Sequence, residues 1–276
     1  MDGENLNAIS HTRPFLRWAG GKTWLIKHLT RVKNLQFNNY HEPFLGGGAT
    51  YFYLSPRNHS FLSDLNKELI ETYQVLKDDV DGVIDKLKLF KNEEGLYYEV
   101  RETIFNDRLE RAAQFIYLNQ TSFNGIYRVN LKGKYNVPFG FRKKDFIEIE
   151  VLRAASSALK NSTIFHGDFY SVISNLNSHD LVFLDPPYTV SHNNNGFIEY
   201  NEKIFSLDDQ YRLSNMIDEI KNIGAYYVLT NAAHDTVKEI FEKGDTRLQL
   251  TRANAIGGIK AQRGSTNEFI FTNITL

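Results

Sequence analysis

The chain of 276 residues carries 32 Lys plus Arg against 33 Asp plus Glu, a net charge of −1, so any basic surface must be local. Hydrophobic residues at 42% and charged residues at 24% exclude wholesale disorder, and no apolar run approaches the roughly 20 residues of a membrane span. With no cysteine, disulfides, thiolate nucleophiles and cysteine-held zinc or iron–sulfur clusters are excluded together.

In chain order, the opening MDGENLNAISHTRPF is acidic and polar, which reads as loosely held chain of a cytoplasmic protein and not as a secretory signal. Leu16 to Thr23 ends in Gly-Lys-Thr but has Leu16 where a P-loop needs its first glycine, so the phosphate cradle is incomplete. Two glycines, the flat face of Trp18 and the cation of Lys22 still suit a ligand that the backbone must approach closely. From Tyr40 to Leu76 the pattern reads strand, glycine turn, helix, strand, helix, with Leu65, Leu69, Tyr73 and Leu76 at helical spacing. Residues 77–155 are mostly helical in pattern, as at Leu109, Ala112, Ala113 and Ile116, followed by a turn-rich loop from Thr121 to about Asp145. Thr163–His166 and Leu181–Leu184 read as short strands buried on both faces. Ser206 and Asp209 form a capping box, and the helix it opens carries Leu213, Met216, Ile217 and Ile220 on one face and stops at Gly224. Ala225–Leu229 and Asn267–Phe271 complete the strands. Strands alternating with helices predict an α/β fold, a doubly wound parallel sheet split by the helical middle.

Three constellations carry the chemistry. Glu42-Pro43-Phe44-Leu45-Gly46-Gly47-Gly48 at a strand-to-helix turn admits a nucleoside-type ligand, and Asp64, 18 positions after Gly46, can accept both ribose hydroxyls. An ordinary glycine turn with Asp64 as a helix N-cap is the equal alternative. Asp185-Pro186-Pro187-Tyr188 follows a buried strand and sits at its carboxyl end, where α/β ligands bind. The Asp185 carboxylate and the Pro186 carbonyl are two acceptors and Tyr188 is a flat face, a set suited to gripping the exocyclic amine of a planar base. Such an amine is a poor nucleophile, and two acceptors on its hydrogens stabilise the charge that develops as it attacks. Methylating carbon 5 of cytosine would need a thiolate, so the missing cysteine closes that route and leaves amine methylation open. Finally, residues 128–144 hold six Lys or Arg and no acid, interleaved with Tyr135, Phe139 and Phe141, the look of a phosphate-tracking surface. Arg247, Arg252, Lys260 and Arg263 form a smaller basic set. The eight histidines show no metal-ligand spacing, so no metal is expected.

Taken in order, Arg17-Trp18-Ala19-Gly20-Gly21-Lys22, Glu42 to Gly48, Asp64, Asn119, Phe123 to Asn130, Asn136 to Gly140 and Asp185 to Tyr188 resemble the Dam-type family of DNA adenine-N6 methyltransferases (the D12 class, α-group). The resemblance runs from about Arg13 to the end. It implies a Rossmann-like methyltransferase sheet, with residues 1–76 and 156–276 as the two parts of a catalytic domain and 77–155 as a target-recognition insert. It implies S-adenosyl-L-methionine as cofactor, touched by Trp18, Lys22, Phe44, Gly46, Gly48, Asp64 and Asp185, with Asp168 and Phe169 at its adenine. Asp185, Pro186 and Tyr188 would hold the target adenine, extruded from double-stranded DNA. Asn124, Arg128 and Pro138 would read bases, with Lys132, Lys134, Arg142 and Arg252 as further DNA contacts. A GATC-like site is expected, in a monomer with no membrane association. A cognate restriction endonuclease would not form a stable complex with it, and the setting would be the nucleoid of a bacterial or phage-infected cell. Cytosine-N4 or RNA amine methylation by the same fold, or a catalytically silent DNA-binding module, are the alternatives. Gln120-Thr121-Ser122, Gly46-Gly47-Gly48 and Asn193-Asn194-Asn195 depart from the family pattern and bear on the sequence read.

Overall fold

The computed structural model describes residues 12–22, 24–25, 28–130, 132–188, 205–253 and 265–275. In chain order they form α1 (Thr30–Asn34), β1 (Tyr40–Glu42), α2 (Ala49–Leu54), β2 (Ser60–Asp64), α3 (Lys67–Asp78), α4 (Val80–Leu87), α5 (Glu94–Glu102), α6 (Arg108–Thr121) and α7 (Ile149–Leu159). Then follow β3 (Ser162–His166), β4 (Leu181–Leu184), α8 (Leu207–Ile223), β5 (Tyr226–Ala232), α9 (Asp235–Phe241), β6 (Thr246–Ala253) and β7 (Ser265–Thr272). Short 3-10 turns occupy Phe123–Gly125 and Phe169–Asn175. The chain divides into two compact units, one of Met1–Thr23, Gly46–Arg57 and Asn66–His166, the other of Trp24–Leu45, Asn58–Leu65 and Gly167–Leu276. The glycine run 46–48 and the Trp18 segment thus share a unit with the helical middle.

The first unit is helical. Helix α3 is capped by Asn66, whose side-chain oxygen accepts from the Leu69 amide, and begins at Lys67, two residues after the first apolar position of the predicted spacing. Leu65 therefore precedes the helix and is exposed, because a polar residue that can cap outweighs an apolar one in setting a helix start. Helix α6 starts at Asp107, capped through the Glu110 amide. It packs against α3, α4 and α5, burying Ala112, Ala113 and Ile116 as the spacing predicts, and then an unexpected polar run, Asn119 to Ser122. Strand β3, at the end of this unit, alternates buried and exposed residues instead of being buried on both faces.

The second unit holds the other six strands in the order β2-β1-β4-β5-β7-β6. Strands β2, β1, β4 and β5 are mutually parallel, registering His41 with Phe61 and with Val182, and Val182 with Tyr227. Strand β7 runs antiparallel to β5 and to β6. The sheet is thus parallel at its centre, with an antiparallel ribbon at one edge, a common variant of open α/β sheets. All four residues of β4 are buried, at roughly 1.5–3 kcal/mol per large apolar side chain. On helix α8 the Ser206–Asp209 capping box forms in both directions, and Gly224 closes the helix at φ +83°. Its apolar face, Leu213, Met216, Ile217 and Ile220, joins Val182, Leu184, Tyr227 and Leu229 in one core.

Candidate functional site

The second unit gathers one group of predicted residues. Because β1, β2 and β4 are parallel neighbours, their carboxyl ends lie at the same sheet edge, and Phe44, Asp64 and Asp185 follow or end those strands. The amide of Gly167 donates to the Asp64 carbonyl at 3.2 Å, which brings Asp168 and Phe169 to the same edge. Phe44 stacks on Phe169 with centroids 5.4 Å apart and 24° between planes. Asp64 is half-buried and is not the cap of α3, since Asn66 is. The helix-cap reading therefore does not hold for this carboxylate.

Asp185 is half-buried at the end of β4, and the buried Thr230 of β5 donates its hydroxyl to Asp185 Oδ1 at 2.7 Å. Pro186 is buried and Tyr188 partly so. The Tyr188 hydroxyl donates to Oε2 of Glu268 at 2.5 Å, and Glu268 on β7 is 1% exposed. Burial, followed by the carboxylates of Asp185 and Glu268, raises the Tyr188 pKa well above that of a free phenol, so the hydroxyl stays protonated and the ring is anchored. Asp168 is exposed; its carboxylate accepts from the Tyr170 amide at 2.9 Å and from Arg212 at 2.8 Å. Arg212 also lies over the Phe169 ring, 4.8 Å from its centroid.

The first unit gathers the other group. Gly46 and Gly48 adopt φ +48° and +68°, which glycine alone takes without strain. A Cβ at Gly46 would lie 2.9 Å from the Trp18 indole, and one at Gly48 would lie 2.9 Å from the Tyr73 hydroxyl. The glycines thus let Trp18 settle onto the turn, while Tyr127 stacks on the indole at 5.5 Å and 20°. Lys22 is 5% exposed, with Nζ donating to the Gly20 carbonyl at 3.1 Å.

The basic loop is organised by Asn130. Its side-chain oxygen accepts from the amides of Lys132 and Lys134 at 2.9 and 3.1 Å, while its own amide donates to the Lys134 carbonyl. Both lysines are exposed, as are Asn124, Arg128 and Pro138. Asn124 holds φ +56°, and Arg128 Nε donates to Asn136 Oδ1 at 2.8 Å. Arg142 is half-buried and donates to Gln120 Oε1 at 3.0 Å. The backbone of Arg252, in β6, pairs with Thr266 of β7. Its side chain lies outside the described residues, as do His11, His192, Asn193 to Asn195, Lys260 and Arg263.

Several partners lie far along the chain from the groups they hold. Asn119 accepts from the Arg17 amide at 2.8 Å and donates to the Arg17 carbonyl at 2.7 Å, locking the Trp18 segment to the end of α6. A Cβ at Gly125 would lie 2.5 Å from Arg17 Cβ, so the recognition loop closes directly on that segment. Burial, and then the nearby Arg142 guanidinium, lower the Arg17 pKa. Thr230, Glu268, Arg212 and Tyr127 likewise reach their sites from distant positions in the chain.

Comparison with known proteins adds a family. A family model described as D12 class N6 adenine-specific DNA methyltransferase matches residues 18–256. The chain is 32% identical over 273 residues to the Type II methyltransferase M1.LlaDCHI of Lactococcus lactis subsp. cremoris, covering 95% of each. It is 36% identical over 244 residues to the Type II methyltransferase M.MjaIII of Methanocaldococcus jannaschii, covering 80% of this chain and 84% of that protein. It is 30% identical over 254 residues to a DNA adenine methylase of Vibrio cholerae serotype O1, covering 88% of each.

Proposed function

The chain belongs to the D12 class N6 adenine-specific DNA methyltransferase family, and from that premise we propose that it methylates an adenine extruded from duplex DNA at a GATC-like site, with S-adenosyl-L-methionine as donor. The observation that carries this reading is the end of β4, where Thr230 fixes Asp185 and Glu268 fixes Tyr188. Asp185 and the Pro186 carbonyl accept from the two hydrogens of the adenine amine, and Tyr188 stacks on the base. These acceptors act most strongly as positive charge builds on the nitrogen, which is where stabilisation raises the rate.

The donor set supports the cofactor. A ribose needs a carboxylate at the sheet edge, and Asp64 ends β2 there; a nucleoside base needs apolar rings, and Phe44 and Phe169 supply them at the same edge. Trp18, Lys22, Gly46 and Gly48 are assigned as further cofactor contacts, and Asp168 as the acceptor beside the cofactor's adenine. When bound, this cofactor supplies an electrophilic methyl group on a sulfonium. The exposed Asn124, Arg128 and Pro138 read bases; an arginine there can bridge a guanine edge. Lys132, Lys134, Arg142 and Arg252 take phosphates. Residues 1–76 and 156–276 serve catalysis and 77–155 target recognition, and the protein works as a cytoplasmic monomer, with any cognate restriction endonuclease acting separately. Among the described residues no helix is long and apolar enough to cross a membrane.

Asp185→Ala tests the assignment. Methyl transfer to a duplex oligonucleotide should disappear, while salt-dependent DNA binding, measured by anisotropy, stays within about threefold. A parallel loss of binding would refute the catalytic role of Asp185.

A further inference from the structure

Phe141 is 69% exposed, and its backbone sits at φ +50°. A left-handed conformation penalises any residue with a Cβ, and a large apolar ring in water adds a second cost. Local structure enforces both. On one side the Gly140 amide donates to the Thr121 carbonyl at 2.8 Å, and a Cβ at Gly140 would lie 2.5 Å from the Ser122 carbonyl oxygen. On the other, Asn92 donates to the Arg142 carbonyl at 2.6 Å, and the Arg142 side chain reaches Gln120. The ring rests edge-on against the buried Phe139, with centroids 5.0 Å apart and 71° between planes. It is therefore held outward on a firm base, and binding need not reorder it. A glycine or asparagine would meet the backbone demand without exposing an aromatic ring. Strain retained at such a position points to use.

The surroundings name the partner. Arg142, Lys143 and Lys144 follow directly, within a stretch of six cations and no acid. Arg142 is held by Gln120 and Lys144 by Glu148, and an apolar tip within this cation-rich stretch suits duplex DNA, where phosphates meet the cations and an inserted ring meets a base step. We infer that Phe141 is an apolar wedge that enters a base step of the bound DNA. The inference rests on the proposed reading of this loop as a duplex DNA surface.

The test uses the full chain with duplex oligonucleotides carrying 2-aminopurine at one position at a time, in and around the methylation site. The proteins compared are the unaltered chain, Phe141→Ala and Phe141→Trp. Phe141→Ala should bind about tenfold more weakly or worse, the loss expected for one stacking ring. Its salt slope should be unchanged, because no phosphate contact is removed. One position other than the target adenine should brighten with the unaltered protein and stay dark with Phe141→Ala, and Phe141→Trp should restore both affinity and signal. Melting curves identify any loss of fold in Phe141→Ala, and the Trp variant then carries the comparison through its own brightening. Equal affinity and equal brightening in all three proteins would overturn the wedge alone. A reduced salt slope in Phe141→Ala would overturn it too. Failure of the unaltered protein to bind duplex DNA would overturn both the wedge and the reading beneath it.

Discussion

Removing the Thr230 hydroxyl probes the end of β4 without touching a group that meets substrate. Thr230 is 1% exposed, and its Oγ1 donates to Asp185 Oδ1 at 2.7 Å. Valine keeps the branched shape and deletes only that donor. A hydrogen bond to an ionised group contributes about 1.5–3 kcal/mol. If it positions Asp185 for the developing charge on the amine, its loss appears in the chemical step, at 1.36 kcal/mol per tenfold. Thr230→Val should therefore lower kcat about tenfold to a hundredfold in single-turnover transfer of labelled methyl groups to a duplex, with little change in DNA affinity. Thr230→Ser should recover most of the rate. The melting temperature should fall by about 3–12 °C, the shift for that loss at about 2–4 °C per kcal/mol in a chain of this size. A kcat within twofold of the unaltered protein, or a loss that serine does not repair, would refute this account of Asp185.

Two further outcomes follow from the same physical reading. His41 is fully buried with Nε2 3.0 Å from Asp180 Oδ2, and burial lowers its pKa from the ordinary 6.5 despite that carboxylate. The unfolded chain thus binds this proton at higher pH than the native one. The contribution is present above about pH 6.5 and is lost as pH falls through the lowered native value; urea midpoints should decline below pH 6.5 and do so less steeply in His41→Gln, whereas parallel declines would contradict the assignment. Lys132→Ala and Lys134→Ala should each reduce the slope of log affinity against log salt by about one, uniformly across DNA sequences and with no change in melting; a sequence-dependent loss in binding assays would make them base contacts instead.

What the sequence made legible is what local pattern can encode. The buried run Leu181–Leu184 before Asp-Pro-Pro-Tyr, the Ser206 capping box and the Gly224 stop each depend on residues within a few positions, and each stands where the pattern puts it. The antiparallel direction of β7 and the existence of β6 depend on a partner strand, and their periodicity is silent on that partner. Leu65 matched the apolar spacing of α3, yet Asn66 set the helix start through a side-chain bond that hydrophobic spacing does not register. The site divides in the same way. Asp185 and Tyr188 announce themselves by their motif, whereas Thr230 lies 45 and Glu268 80 positions from the groups they hold. Trp18 read as a stacking face open to a ligand, but one side of it is taken by Tyr127, which is more than 100 positions along the chain.

The most direct test incubates the purified protein with S-adenosyl-L-methionine and unmethylated duplex DNA and maps the modified bases one by one. N6-methyladenine should appear within a single short GATC-like motif and at no other base. Methyl groups on cytosine N4, or DNA bound but left unmodified, would contradict the proposed function.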